Sequence, residues 1–290
     1  MERELLVARS LPARLSLPAA RPRAGAVALH PSGDGSRDFP LARHLAGVFA
    51  GLGIALVRYD RRAPRLSGDD VPLGRQVADA VSAIELLRAQ VAPGLPIVAW
   101  GFSQGVWVAL MLAHELPLAG VVLVGASGVG PSPQMRYAAA RHLRAAGFGE
   151  GDVAEMLEVR RIWESVQPGG RISEAEVALR RAARKPWFEH AWLPRTVEPF
   201  TDEDGIEAGF DPAPLVRTLP CPMLAVVGDD DRWVPLRETV AVLEQAADAE
   251  LLHVPGGDHA PTMDGDGAGP VLPGYEDGLR DWLERRVLGA

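Results

Sequence analysis

The stretch "WGFSQGVWVAL", residues 100–110, decides how this chain is read. It sets Ser103 between Gly101 and Gly105, with apolar residues on both sides. A G-x-S-x-G match alone fits two situations: a nucleophile on a strained turn, or a polar residue in a loop softened by glycine. The surroundings choose between them. "LPIVAW" (95–100) has the length and apolar continuity of a buried strand, and residues 104–115 read as a helix. A sharp strand-to-helix turn forces the serine into an unfavourable backbone region. Side chains at 101 and 105 would then collide with the neighbouring strand and helix, and glycine removes the collision. Such a turn lifts the hydroxyl to the carboxyl ends of the strands, where open α/β sheets bind ligands.

The pattern extends in both directions. Residues 3–8 and 12–17 read as strands of an antiparallel hairpin. "AGAVALH" (24–30) is a strand that runs into the glycine-rich loop "HPSGDGSRD". Leu41, Leu45, Val48 and Phe49 share one helix face, which Gly51 and Gly53 end. "IALVRYD" (54–60) is a strand, and Val77, Val81, Ile84 and Leu87 define a second helical face. "GVVLVG" (120–125) is again a strand. Nearly continuous apolar strands alternating with helices imply a mostly parallel sheet flanked by helices on both faces.

Residues 131–212 break this rhythm. "MRYAAARHLRAAG", "VAEMLEVRRIWESV" and "EAEVALRRAARKPWFEHAWL" are helical and rich in Arg and Trp. The alternation then resumes with "PMLAVVG", a helix over about 236–247, "AELLHVPGG" and a last helix over about 275–287. The expected organisation is a sheet core over 1–130 and 213–290, interrupted by a helical insertion over 131–212.

Composition narrows the function classes. A net charge of -8, with arginines scattered among apparent helices, argues against nucleic-acid binding. The lone Cys221 excludes an internal disulfide or a cysteine metal cluster, and it reads as a small buried hydrophobe. The N-terminus shows no secretory segment and no apolar run reaches the length of a spanning helix, so a soluble, cytoplasmic protein without membrane contact is expected.

A serine hydroxyl needs a base. Of seven histidines, His259 in "PGGDHAP" is best placed, in a glycine loop past the last strand and at the same sheet edge as Ser103. His44, His114, His142 and His190 fall in helices and His253 in a strand; His30 ends a strand near the site and suits a supporting role. The base in turn needs an acid to hold its tautomer. "VVGDDDRWVP" offers three aspartates, of which Asp231 is the candidate and the others are turn or capping residues. Asp258, the sequence neighbour of His259, is read as a turn residue.

The order Ser103, Asp231, His259 resembles that of the α/β-hydrolase superfamily. Four landmarks carry the resemblance: "HPSGDGSRD", "VRYDRRAPRLSG", "GFSQG", and "GDDDRWVP" followed by "GGDH". The family pattern G-x-x-D-x-x-V-P also falls on Asp231. The first landmark is similar to the H-G-S-G loop of esterases related to the acylaminoacyl-peptidase and dienelactone-hydrolase groups. The resemblance implies an α/β-hydrolase fold with a helical cap, and backbone N–H donors to an oxyanion from Ser32 and Gln104. Pro31 stands where the family has glycine and has no N–H to give. Ala63-Pro64-Arg65 replaces the usual glycine-rich turn, which points to a different substrate shape. Trp163, Trp187, Phe188 and Trp192 either line a pocket or pack the cap, and Trp233 is a further pocket candidate.

The implied activity is that of a serine hydrolase acting on a small or medium carboxylic ester or thioester, with a small-molecule acyl substrate and no metal or organic cofactor. An acyltransferase or a thioesterase/cyclase would use the same three residues, and a non-catalytic binding protein of the same fold is a third reading. Whether the protein forms a homodimer is left open by the sequence.

Overall fold

A computed structural model describes residues 1–62, 71–166, 172–197, 209–265 and 267–289. Its centre is an eight-stranded sheet. The strands are β1 (Glu2–Val7), β2 (Leu11–Ser16), β3 (Ala24–Leu29), β4 (Ile54–Tyr59), β5 (Ile97–Phe102), β6 (Gly120–Val124), β7 (Met223–Gly228) and β8 (Ala249–Val254). Their spatial order is β1-β2-β4-β3-β5-β6-β7-β8. The first two strands form the expected antiparallel hairpin, with Val7 opposite Leu11, and β2 is antiparallel to β4. Every other pairing is parallel.

The parallel strands β3 to β7 are buried along their whole length, which is why they appear in the sequence as apolar runs rather than alternations. Helices cover both faces. On one side α1 (Pro40–Gly51) packs Leu41, Leu45, Val48 and Phe49 against Ala26, Ala28, Leu56, Val98 and Trp100. It starts at Pro40, where the missing N–H costs nothing. The last helix, over Pro273–Leu283, adds Tyr275, Leu279 and Trp282 to this layer, and Tyr275 Oη accepts a hydrogen bond from Trp100 Nε1 at 3.0 Å. On the other face lie α2 (Leu73–Gln90) and α3 (Gln104–Glu115). The helix face expected from Val77, Val81, Ile84 and Leu87 is corrected at one position. Val81 is only half-buried, and Ala80 and Ala83 complete the contact surface instead.

Arg58 is the exception in the core strands. It is 2% exposed in the middle of the sheet. Its guanidinium donates to Glu2 at 2.7 Å and to Asp38 at 3.0 Å, so the buried charge is paired and the N-terminal hairpin is tied to β4.

The chain divides into two compact units. The first comprises residues 1–128, 212–231 and 236–290 and holds the sheet; the second comprises 129–211 and 232–235. Among the described residues of the second unit there are helices and no strand. They include α4 (Pro131–Ala145), α5 (Glu150–Glu164), α6 (Ile172–Ala182) and a 3-10 turn over Phe188–His190. Ala139, Leu143, Val153, Met156, Leu179, Trp187 and Phe188 form its own core. The first unit completes its chain through α7 (Ala213–Arg217), α8 (Leu236–Leu243) and α9, the last helix named above. No described helix is long and apolar enough to cross a membrane.

Candidate active site

Ser103 sits between β5 and α3 with φ 54° and ψ -117°, a backbone region that side-chain-bearing residues rarely occupy. The flanking glycines make this conformation feasible. A Cβ on Gly101 would lie 2.2 Å from Gly105 O, and one on Gly105 would lie 2.6 Å from Leu29 O. Both obstacles are backbone, so neither can move aside. The turn is held by Ser103 N donating to Val124 O at 2.9 Å and Val106 N donating to Ser103 O at 2.9 Å.

Two loops at the carboxyl ends of the strands bring the other groups to this serine. His259 lies just past β8, and its Nε2 is 2.8 Å from Ser103 Oγ. Its Nδ1 is 2.9 Å from Asp231 Oδ2, on the loop after β7. An ionised carboxylate only accepts, so Nδ1 carries the proton and donates to Asp231. Nε2 is then left as the acceptor for the serine hydroxyl. The Asp231 side chain is 4% exposed and that of His259 11%, so the relay is largely shielded from water.

The neighbouring carboxylates are occupied elsewhere. Asp229 faces the exposed His253 at 3.2 Å, and Asp258 accepts the backbone N–H of His259 at 2.8 Å, as a turn residue does. Among the remaining histidines, His44 meets Glu276, while His114 lies against Leu110 O and Thr218. His142 and His190 lie ring against ring inside the second unit, tilted, with centroids 5.5 Å apart.

Two glycines whose packing role sequence reasoning did not reveal shape the relay. Gly228 allows the loops after β7 and β8 to pass: a Cβ there would stand 2.2 Å from Asp258 O. Gly125, with φ 57°, lies under the His259 ring, where a Cβ would be 3.0 Å from Cε1 and 2.7 Å from His259 O. A glycine ending a buried strand was the available signal, but it does not reveal what the residue faces.

His30 lies just beyond β3 and is 2% exposed. Its Nε2–H donates to Tyr59 O at 2.6 Å. Burial is the main cause that pushes its pKa down to about 4, with the Arg61 charge adding to the effect. Ser32 is exposed in the same loop. Gln104 begins α3, so its N–H lies among the first four, ahead of the helix's own hydrogen-bond ladder. Cys221 is buried and its thiol is pushed up to about 11 by burial, which suits a packing residue rather than a reactive one.

The tryptophans separate. Trp187 is 0% exposed within the core of the second unit, and Phe188 packs beside it. Of the two readings of these rings, packing is therefore the one that Trp187 and Phe188 follow. Trp163 packs partly buried against the same core, under the Arg160 guanidinium. Trp192 is 39% exposed, has φ 48°, and is sandwiched between Trp233 and His142 with ring centroids 5.0 and 4.7 Å away. Residues 63–65, the altered turn after β4, lie outside the described residues.

The strand order and the strand–serine–helix turn define the class: an α/β protein that presents a serine, a histidine and an aspartate at the carboxyl edge of its sheet. A family model described as the alpha/beta hydrolase family matches residues 26–268, and the chain belongs to that family. A comparison with curated proteins finds no match. Solved structures of the same fold include a highly thermostable carboxyl esterase from Bacillus coagulans, in complex with glycerol. It is 19% identical with a TM-score of 0.62, over 99% of this chain and 98% of that one. Est1E from Butyrivibrio proteoclasticus is 15% identical with a TM-score of 0.64, again over 99% and 98%. The alpha/beta hydrolase GrgF from Penicillium sp. sh18 is 19% identical with a TM-score of 0.61, over 99% and 98%. At these identities the likeness is one of fold.

Two predictions follow from the local geometry. The His30 ring stays neutral in the folded protein down to about pH 4, whereas in the unfolded chain it takes a proton near 6.5. Stability is therefore lost as pH falls from about 6.5 to about 4, by about 3 kcal/mol from this group. Urea unfolding at pH 7.5 and 4.5 should show this loss in the native protein and not in His30→Gln; equal losses in both would refute it. Gly125→Ala should displace the His259 ring and lower turnover by about 10- to 100-fold with little change in KM. Unchanged turnover would mean the ring has room to spare.

Proposed function

We propose that the protein is a serine hydrolase that cleaves a small or medium carboxylic ester or thioester through an acyl-enzyme on Ser103. The observation that carries this reading is the unbroken relay from Asp231 through His259 to Ser103, with contacts of 2.9 and 2.8 Å on a turn strained to present the serine. A protein that only binds has no need of all three groups in this order. That a carboxyl esterase is among the similar folds adds support for acyl chemistry.

In the proposed mechanism Ser103 Oγ attacks the acyl carbon while His259 Nε2 takes its proton. Asp231 stabilises the imidazolium that forms and holds the ring in the tautomer the step requires. The carbonyl oxygen becomes an oxyanion and accepts from the backbone N–H groups of Ser32 and Gln104. The N-terminus of α3, with its partial positive charge, favours the same negative charge. Collapse expels the alcohol or thiol, which takes the proton from His259, and leaves the acyl group on Ser103. Water then gives a proton to His259 and attacks the acyl carbon. The second tetrahedral intermediate breaks to free the carboxylic acid and return the proton to Ser103.

Activity on p-nitrophenyl acyl esters of graded chain length tests this reading. Ser103→Ala should abolish turnover above the level of the uncatalysed reaction plus binding, and Asp231→Asn should lower kcat by about 10⁴ because it presents the wrong tautomer. Retention of native turnover in folded Ser103→Ala protein would overturn the proposal.

A further inference from the structure

The side chain of Arg61 connects the two loops that the proposed mechanism uses to bind the oxyanion. Arg61 lies two residues past β4, and its backbone N–H donates to Gly35 O at 2.7 Å. From there the side chain runs over Gly35, where a Cβ would stand 2.9 Å from Arg61 Cβ and 3.2 Å from Nε. The chain can take this path only past a glycine. At its end, one guanidinium nitrogen, Nη1, donates to Pro31 O at 3.2 Å and to Gln104 Oε1 at 3.0 Å. Gln104 Oε1 also accepts from Gln76 Nε2 at 3.0 Å, and Gln76 Nε2 donates in turn to Val71 O at 2.6 Å. Gln76 is 3% exposed and Gln104 9%, so this is a buried, geometrically defined junction rather than a surface contact.

The two acceptors are what give Arg61 its significance. The carbonyl of Pro31 and the N–H of Ser32 are the two ends of one planar trans peptide. A guanidinium fixed on the carbonyl end sets the rotation of that plane and so aims the N–H at the opposite end. It also polarises the amide and makes that N–H a stronger donor. The second acceptor belongs to Gln104, whose own backbone N–H is the other proposed donor. Resting on the catalytic reading above, we propose that Arg61 is a positioning residue for the oxyanion site, holding the Pro31–Ser32 peptide in register with the first turn of α3. The adjacent Arg62 has a different part: its Nε donates to the buried Asp79 of α2 at 2.8 Å, an ion pair that joins β4's exit to that helix.

A positioning role and a merely structural one separate when turnover is measured per reactive serine. The fraction of molecules with a reactive Ser103 is titrated with a fluorophosphonate, and kcat and KM for a p-nitrophenyl ester are then expressed per titrated site. Loss of a single oxyanion donor costs about 10²- to 10³-fold in kcat, and a donor that is present but misaimed should cost less. Arg61→Met is expected to lower kcat per titrated site by about 10- to 100-fold, with KM within about threefold of native. The deficit should be the same across the pH profile, because a guanidinium does not lose its proton. Arg61→Lys, which keeps the charge and a donor, should recover part of the loss. Gln104→Leu, which removes the other anchor but keeps the backbone N–H, should lower kcat in the same sense and serves if Arg61→Met does not fold. Arg62→Met should lower thermal stability while leaving kcat per titrated site within about twofold of native. Native kcat per titrated site in Arg61→Met, or a loss confined to KM or to the titratable fraction, overturns the proposal. A native protein with no reactive serine overturns the hydrolase reading itself, and that result appears before any variant is compared.

Discussion

The strained backbone at Ser103 is the constraint on which the rest of the site depends. A positive φ at a residue that carries a side chain costs on the order of 1–3 kcal/mol and persists only where its surroundings dictate it. Here they do so through close backbone approach. Gly105 lies against the carbonyl of Leu29, and Gly101 against that of Gly105, so β3, the turn and the first turn of α3 are packed to a distance that only glycine allows. A less tight crossing would let the serine relax into an ordinary helix start. Its hydroxyl would then leave the sheet edge and the 2.8 Å contact with His259 would be lost.

The same principle extends outward from the turn. The loops after β6, β7 and β8 converge on the histidine because Gly125 and Gly228 remove side chains where backbone or ring would otherwise collide. Asp231 is buried and aimed at Nδ1, while the exposed Asp229 faces outward to His253. Two of three consecutive aspartates, identical in chemistry, thus differ in role through where one turn points them. Arg61 adds a polar counterpart to this apolar close packing, crossing Gly35 to tie the loop after β3 to the head of α3.

Much of this arrangement was legible in the sequence, for identifiable reasons. Strands buried on both faces leave apolar runs, so β3 and β4 were placed within a residue of their observed ends, at Ala24–Leu29 and Ile54–Tyr59. The G-x-S-x-G turn and the order of Ser103, Asp231 and His259 carry information because strand ends in a parallel sheet lie on one edge. Other features depend on tertiary neighbours and leave no local trace. Val81 fits the helical period yet is only half-buried, while the small Ala80 and Ala83 are fully buried on the same helix. Trp187 and Trp192 are alike in sequence, and only their neighbours make one a core residue and the other a half-exposed, stacked ring. Nothing near Arg61 in the chain announces Pro31 or Gln104 as its partners, and nothing near Arg58 announces Glu2.

The central claim is that this geometry makes Ser103 a nucleophile. The most direct measurement is the mass of the intact protein after brief exposure to a fluorophosphonate at neutral pH, followed by peptide mapping of the adduct. The account predicts one adduct per chain, located on Ser103 and formed far more slowly when His259 is replaced by alanine. A folded protein that remains unlabelled, or that is labelled at another residue, would contradict it.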